Sequence, residues 1–260
     1  MIPLVDTHCH LLAGLDDGPR TVEEALEMCR LAWADGIRVV AATAHLNEQS
    51  PEVTPARIRA AALELTQRAH EAGICLTIYP SAEVMIRPEL EKLWVRGDLL
   101  GLAGGNRYLL IELPAGPFFE LRELVGGLSE LGVHPILAHP ERHPDLLHEP
   151  AQMERLIRLG CLVQVSAGNI AEPLNGSDWR MLRRWVQGGL VHLVGSDAHS
   201  PHRRPPRIAD AHRQVALWAG NDVADRLCSL NGLMVVEGLP LKVPEPRLPR
   251  KRWFLGLRSR

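Results

Sequence analysis

The chain has no cysteine pattern, no excess of one charge and no long apolar run, and each absence excludes a class of protein. Its five cysteines, Cys9, Cys29, Cys75, Cys161 and Cys228, are scattered without CxxC spacing, so neither a disulfide framework nor a thiolate zinc knuckle is indicated. A reducing, cytoplasmic setting fits that usage. The formal net charge is -2, with 23% charged residues, which argues against a nucleic-acid-coating surface, and no nucleic-acid partner is expected. No apolar stretch approaches the roughly 18 residues of a spanning helix. Met1 to His10 lacks the basic n-region and long apolar h-region of an export signal. No Ser/Gly-rich linker, internal repeat or low-complexity segment divides the chain.

What is present suits one continuous domain. With 260 residues, 46% of them hydrophobic, the chain can bury the core of a single large α/β barrel. Short apolar runs alternate with stretches of helical periodicity. The pattern predicts strands over Pro3 to Thr7, Ile37 to Thr43, Cys75 to Tyr79, Tyr108 to Glu112, Val133 to Ala138, Cys161 to Ser166 and Leu190 to Gly195, giving seven βα-like units. Two helix starts are well marked. Thr21 and Glu24 form a capping-box pattern with Val22, Ala25, Leu26, Cys29 and Ala32 on one face, and Gly36 ends that helix. Thr54 and Pro55 open the second as N-cap and first helical residue, with Ile58, Ala61, Ala62, Leu65 and Ala69 as its apolar stripe.

Each predicted strand runs, on its C-terminal side, into groups able to bind metal or phosphate. In order these are Asp6-Thr7-His8-Cys9-His10, Thr43-Ala44-His45, Ser81-Ala82-Glu83, Ile111-Glu112-Leu113, Ala138-His139-Pro140-Glu141-Arg142, Val165-Ser166-Ala167-Gly168-Asn169 and Gly195-Ser196-Asp197-Ala198-His199. In a parallel barrel all strand C-termini meet at one rim, so residues far apart in sequence converge there. In an extended segment side chains two apart point the same way. His8 and His10 can therefore grip one ion while Cys9 faces the packing side.

Taken singly, these residues have plainer readings. His8 and His10 could hydrogen-bond at an ordinary strand end, Asp197 could cap a turn, and His45 could be a satisfied core histidine. Asp16-Asp17-Gly18 reads as a loop turn, and His139-Pro140 as a turn with a restricted pre-proline residue. Glu83 and Glu112 are harder to dismiss, because a carboxylate directly after an apolar strand must be solvated, paired or metal-bound. Together, five histidines and four acids at strand ends or adjoining loops form a mixed nitrogen and oxygen set large enough for more than one divalent cation, with carboxylates able to bridge two ions. The absence of thiolates argues against a closed structural zinc site, and the mixture suits manganese, iron or zinc.

The segments MIPLVDTHCH, DDG, TAH, AEV, IEL, AHPER, QVSAGN and GSDAH resemble the PHP (polymerase and histidinol phosphatase) superfamily. The likeness is greatest to its bacterial manganese-dependent protein tyrosine phosphatases of capsule and exopolysaccharide synthesis. Its distinguishing features are HxHxLxGxDDG, HPER after the fifth strand, and SDAH followed by Arg204-Pro205-Pro206. The resemblance implies a distorted (β/α)7 barrel over residues 1–240, with 241–260 as a basic C-terminal tail. It also implies three divalent metal ions, manganese with iron or zinc as compatible choices. The first would be held by His8, His10, Glu83 and Asp197, the second by the bridging Glu83 with Glu112 and His139, and the third by Asp17, His45 and His199. Arg142 and Arg204 match the family's phosphate-clamping arginines, whose planar forks fit two phosphate oxygens. His199 is the candidate general acid, and Asp6 either orients His8 or caps the strand.

The implied activity is hydrolysis of phosphotyrosine on a protein, with a bacterial tyrosine kinase as the expected partner, by in-line attack of a hydroxide held between metals. No cysteine is followed six positions later by arginine, which excludes the cysteine-based phosphatases. The chain departs from the family at Thr43-Ala44-His45-Leu46, where Thr-Pro-His and then an aromatic residue or histidine is usual. Tyr79 and Tyr108 are its only tyrosines, leaving Phe118, Phe119 or Trp94 to supply an aromatic contact. Arg247 to Arg260, with Arg250-Lys251-Arg252 and Trp253-Phe254, reads as a solvated tail or as a peripheral membrane contact. Three other readings stay open: a small-molecule phosphatase such as one for histidinol phosphate, a non-catalytic scaffold, and an amidohydrolase. The last often needs a carboxylated lysine at a strand end, where Lys92, Lys242 and Lys251 do not lie.

Overall fold

Local signals set the first helices. Helix α1 (Val22–Asp35) starts where the Thr21 hydroxyl accepts a hydrogen bond from Glu24 N (3.3 Å), while Glu24 Oε2 accepts from Arg20 N (2.7 Å). The capping box thus reaches back one residue further than its usual return bond. Ala25, Met28, Cys29 and Ala32 form its buried face, with Val22 and Leu26 half-buried beside it, and Gly36 closes it at a left-handed φ of 96°. Helix α2 (Pro55–Glu71) is capped by Thr54 and buries Ile58, Ala62, Leu65 and Ala69. The computed structural model describes residues 2–114, 116, 120–172 and 176–247.

Between the helices run seven parallel strands: β1 (Leu4–His10), β2 (Ile37–Leu46), β3 (Thr77–Met85), β4 (Tyr108–Glu112), β5 (His134–Ala138), β6 (Leu162–Ser166) and β7 (Leu193–Gly195). Each pairs with the next in sequence order. The strands form a nearly closed barrel with helices outside, as the seven βα-like units predicted. The first three strands run past their predicted ends, so His8, His10, His45 and Glu83 belong to strands rather than to following loops. Polar residues stay in these extended segments because they face the barrel mouth, where they pair with one another.

Apolar side chains pack in two layers. The larger lies between strands and helices and takes in Cys9, which faces away from its two histidine neighbours. The smaller fills the barrel with Tyr108, Leu110, Ile136 and Leu193, and Val235 and Val236 from the helix Asn231–Val236 complete it. Tyr108 fastens this floor, its hydroxyl donating to Leu239 O (2.6 Å) and accepting from Leu241 N (2.9 Å). Arg247 N donates to Gly188 O at 2.8 Å. The remainder of the basic tail lies outside the described residues. No helix among the described residues is long and apolar enough to cross a membrane.

The barrel closes between β1 and β7 without a full ladder. Asp197 N donates to His8 O (2.7 Å) and His10 N to Ala198 O (2.8 Å) around a single bridge of Cys9 with Ala198. Asp6 Oδ1 reinforces the seam by accepting from Ser196 N (2.8 Å) and His8 N (3.2 Å). Asp6 therefore fixes backbone rather than the His8 ring. Burial pushes its carboxyl up to about 6, against the lowering effect of those bonds.

The underside of β1 rests on Gly232, where an added Cβ would lie 2.8 Å from Val5 Cγ1 and 3.1 Å from Thr7 Cγ2. Both neighbours are β-branched and have little freedom to turn away. Gly232→Ala is expected to lower unfolding stability by about 1–3 kcal/mol through overpacking. Urea denaturation checks this, and an unchanged midpoint would contradict it.

Candidate metal centre

Every ligand expected from the sequence reaches the C-terminal mouth of the barrel. β1 supplies His8 and His10, β2 His45, β3 Glu83, and β4 Glu112 as its last residue. His139 follows β5, Asp17 lies in the loop after β1, and Asp197 and His199 follow β7. Four groupings could each hold an ion: His8, His10 and Asp197; His8, Glu83 and His139; His45, Glu83 and Glu112; and His10, Asp17, His45 and His199. They overlap through Glu83, His8, His10 and His45, so the residues make one continuous cluster. His45 is shared more widely than the sequence reading had it. Its Nε2 faces Asp17 at 3.4 Å, and its Nδ1 faces Glu83 at 3.2 Å and Glu112 at 3.7 Å.

Glu83 is the hub. Its Oε2 lies 3.2 Å from His8 Nε2, 3.1 Å from His10 Nε2 and 3.2 Å from His45 Nδ1, while Oε1 lies 3.0 Å from His139 Nε2. Burial would raise this carboxyl, but the histidines around it, His8 first, hold it well below the usual carboxylate range. Glu112 has the opposite fate. Burial and the Glu83 charge push it up to about 7. Two carboxylates with their acidities driven apart in one mouth mark a site built for charge.

The rings are aimed from behind. His10 Nδ1 meets Asp16 Oδ2 at 2.6 Å, and His199 Nδ1 meets the main-chain oxygen of Asp197 at 3.0 Å. Both partners only accept, so each Nδ1 carries a proton and Nε2 is the ring atom left to face the mouth. His8 Nδ1 is served in the same way by Gln164 Oε1 at 3.1 Å. His8 and His10 then present Nε2 atoms 3.1 Å apart. Converging imidazole lone pairs among carboxylate oxygens are the donor set of a divalent cation, and the residues fit one.

Asp197 divides its oxygens. Oδ1 stands 3.6 Å from His8 Nε2 and 3.9 Å from His10 Nε2, whereas Oδ2 accepts from the guanidinium groups of Arg142 and Arg204. Burial would raise its carboxyl, but His8 and Arg142 lead the charges that hold it far below the ordinary value. Burial, with His10 and Arg204 nearby, lowers His199 to about 4 and keeps that ring neutral. Arg142 also donates to Ser166 Oγ at 3.0 Å. The two arginines line a cavity of about 500 Å³ beside the cluster. Trp94 packs against the outer core and Gly101, away from that lining. Phe118 and Phe119 lie outside the described residues.

His139 and Asp197 adopt left-handed backbone, with φ of 33° and 53°. For His139 this replaces the extended conformation expected before Pro140. Such strain costs about 1–3 kcal/mol per residue and gathers where the surroundings enforce it.

Three supporting residues escaped the sequence reading. Asp16 looked like a turn residue beside Asp17, yet it is the buried one of the pair, while the Asp17 side chain is 67% exposed. Gln164 carried a signal, a lone amide within the apolar run Leu162-Val163-Gln164-Val165. Glu141 is buried, and its Oε1 accepts from Ser166 N and Asn169 Nδ2, both at 2.8 Å, which anchors the turn carrying Arg142.

A parallel α/β barrel with a histidine and carboxylate cluster at its C-terminal mouth belongs to the class of barrels that carry their chemistry on bound metal. Within that class, the chain belongs to the family described as capsular polysaccharide synthesis, CpsB/CapC, which matches residues 4–237. It is 33% identical to the tyrosine-protein phosphatase YwqE of Bacillus subtilis, over 83% of each chain. It is 28% identical to the tyrosine-protein phosphatase CpsB of Streptococcus pneumoniae, over 86% of this chain and 94% of that one. A crystal structure from the pair YwqE of Bacillus subtilis and CpsB of Streptococcus pneumoniae, described as metal-dependent tyrosine phosphatases, superposes with a TM-score of 0.88. That likeness covers 95% of this chain and all of the other at 28% identity.

Asp16 accepts at Oδ2 from His10 Nδ1 and His45 N (3.0 Å) and at Oδ1 from Gly18 N (2.9 Å). An amide in its place must point its NH₂ at one of these donors. Asp16→Asn is therefore expected to weaken metal retention about 10–100-fold, read by competition with a fluorescent chelator.

Proposed function

We propose that this protein is a metal-dependent phosphatase that removes phosphate from tyrosine in a protein, a bacterial tyrosine kinase of capsule or exopolysaccharide synthesis being the substrate. The observation that carries the reading is the convergent cluster around Glu83 with Arg142 and Arg204 at its edge, in a family whose named members are tyrosine phosphatases. We assign His8, His10, Asp17, His45, Glu83, Glu112, His139, Asp197 and His199 as metal ligands. Three ions suit nine ligands with Glu83 shared, and manganese is the assigned metal, with iron or zinc compatible with the same donors. Residues 1–240 are assigned to the catalytic domain.

Divalent cations bound there supply positive charge and lower the pKa of water. The protein's own groups do the rest. Arg142 and Arg204, held between Asp197 and the cavity, receive the phosphate oxygens with fixed N–H donors that need no reorganisation. Asp16, Gln164 and the Asp197 carbonyl keep three ring nitrogens pointed into the mouth. His199 serves as a ligand rather than as an acid, since its neutral ring commits Nδ1 to the backbone. Phenolate, with a pKa of about 10, is a tolerable leaving group without a dedicated proton donor.

The cytoplasm is the assigned compartment. The basic segment after Pro246 is read as a solvated tail, with a peripheral contact to anionic lipid as the alternative. A small-molecule phosphatase would use the same cluster, and histidinol phosphate is the comparison substrate. Hydrolysis of a phosphotyrosyl peptide is expected to disappear with a chelator, return with manganese and exceed that of histidinol phosphate. Arg142→Ala is expected to lower kcat/KM by roughly two orders of magnitude. Activity that survives chelation would overturn the reading.

A further inference from the structure

The cavity beside the cluster carries more positive charge than a phosphate clamp uses. Besides Arg142 and Arg204, its wall includes Arg203 and Arg207. The first pair shares the carboxylate of Asp197. Among the described residues, the guanidinium groups of Arg203 and Arg207 form no ion pair. Two acids line the same cavity, Glu172 and Asp210, and Asp210 is engaged by Arg213 one helical turn on. Among the described residues, Glu172 is thus the one carboxylate of this lining without an ion pair, against two guanidinium groups without one.

The segment that presents these arginines is held at both ends. Ser200 Oγ accepts from Arg203 N (3.0 Å) and Arg204 N (3.2 Å), and Arg204 O accepts from His199 N (3.0 Å). Pro205 and Pro206 then limit the backbone. Asp35 Oδ2 accepts from Ile208 N (2.6 Å) and Ala209 N (2.9 Å), tying the far end to α1. Arg203 therefore sits on a fixed turn next to the clamp residue Arg204, and Arg207 lies three residues further along the same wall. Fixed donors lose less freedom on binding than donors on a mobile loop. A phosphate held by Arg142 and Arg204 leaves the rest of a peptide substrate beside Arg203 and Arg207.

We propose that Arg203 and Arg207 form a second anion subsite that takes an acidic side chain flanking the phosphotyrosine. The preferred substrates are then phosphotyrosyl peptides with aspartate or glutamate next to the phosphorylated residue. This inference rests on the phosphotyrosine reading above and specifies its substrate class.

The test uses the manganese-loaded full chain and three peptides that differ only in the residues flanking phosphotyrosine, which are acidic, neutral or lysine. Binding of the matching peptides with a non-hydrolysable phosphonate is followed by fluorescence anisotropy. The acidic peptide is expected to exceed the neutral one about three- to tenfold in both kcat/KM and affinity, as two partly exposed charge pairs would give. Raising salt should shrink that ratio. In Arg203→Ser/Arg207→Ser the ratio should fall to about one, and Arg203→Lys/Arg207→Lys should retain part of it, since charge is kept and the fork lost. Equal treatment of the three peptides by the wild-type chain would overturn the proposal, as would a preference that survives the serine pair. Absence of hydrolysis on all three, with histidinol phosphate still cleaved, would instead overturn the phosphotyrosine reading.

Discussion

The seam between the first and last strands is the constraint on which the site depends. Two main-chain hydrogen bonds, one bridge and the Asp6 carboxylate join β1 to the segment after β7. These contacts bring His8 and His10 beside Asp197 and His199, whose side chains would otherwise belong to opposite edges of an open sheet. Asp6 makes the join with one oxygen, and its other oxygen is buried with no hydrogen-bond partner among the described residues. A carboxyl kept in that condition, with its pKa raised to about 6, is tolerated because the backbone of both strands is fixed by it.

From the seam inward, each layer of the site aims the next. Glu141 holds the turn that carries Arg142, Arg142 and Arg204 hold one oxygen of Asp197, and Asp197 offers the other oxygen to the histidines. Glu83 gathers four of the five rings and stays ionised among them. The floor of the barrel stays apolar below this layer, closed by Tyr108, Val235 and Val236. Polar chemistry is thereby confined to one end of the barrel, where water and substrate reach it.

Much of this was legible in the chain. The seven strands followed from apolar runs bounded by turn residues, and the caps at Thr21 and Thr54 from short-range spacing. The nine clustered candidate ligands stood out because acids and histidines recur just after apolar runs. Strand lengths were misjudged where the ligands themselves continue the ladder, as at His45 and Glu83, since polar residues read locally as loop. Asp16 was passed over because its role depends on the rings of His10 and the backbone of His45, which no local pattern places. The left-handed turns at His139 and Asp197 were hidden for the same reason, being imposed by contacts made across the barrel mouth.

The position of the seam also dictates an order of events during synthesis. His8 and His10 emerge from the ribosome long before Asp197 and His199, and strands β2 to β6 can assemble on the nascent chain while the mouth is still missing one wall. Contacts between the two ends of a chain are the slowest to form, because the loop they close is the longest. The last members of the cluster, Asp197 and His199, thus arrive together with ring closure of the sheet. A chain halted before β7 would hold seven of the nine clustered residues and lack Asp197 and His199, so two of the four groupings would each be short of a member.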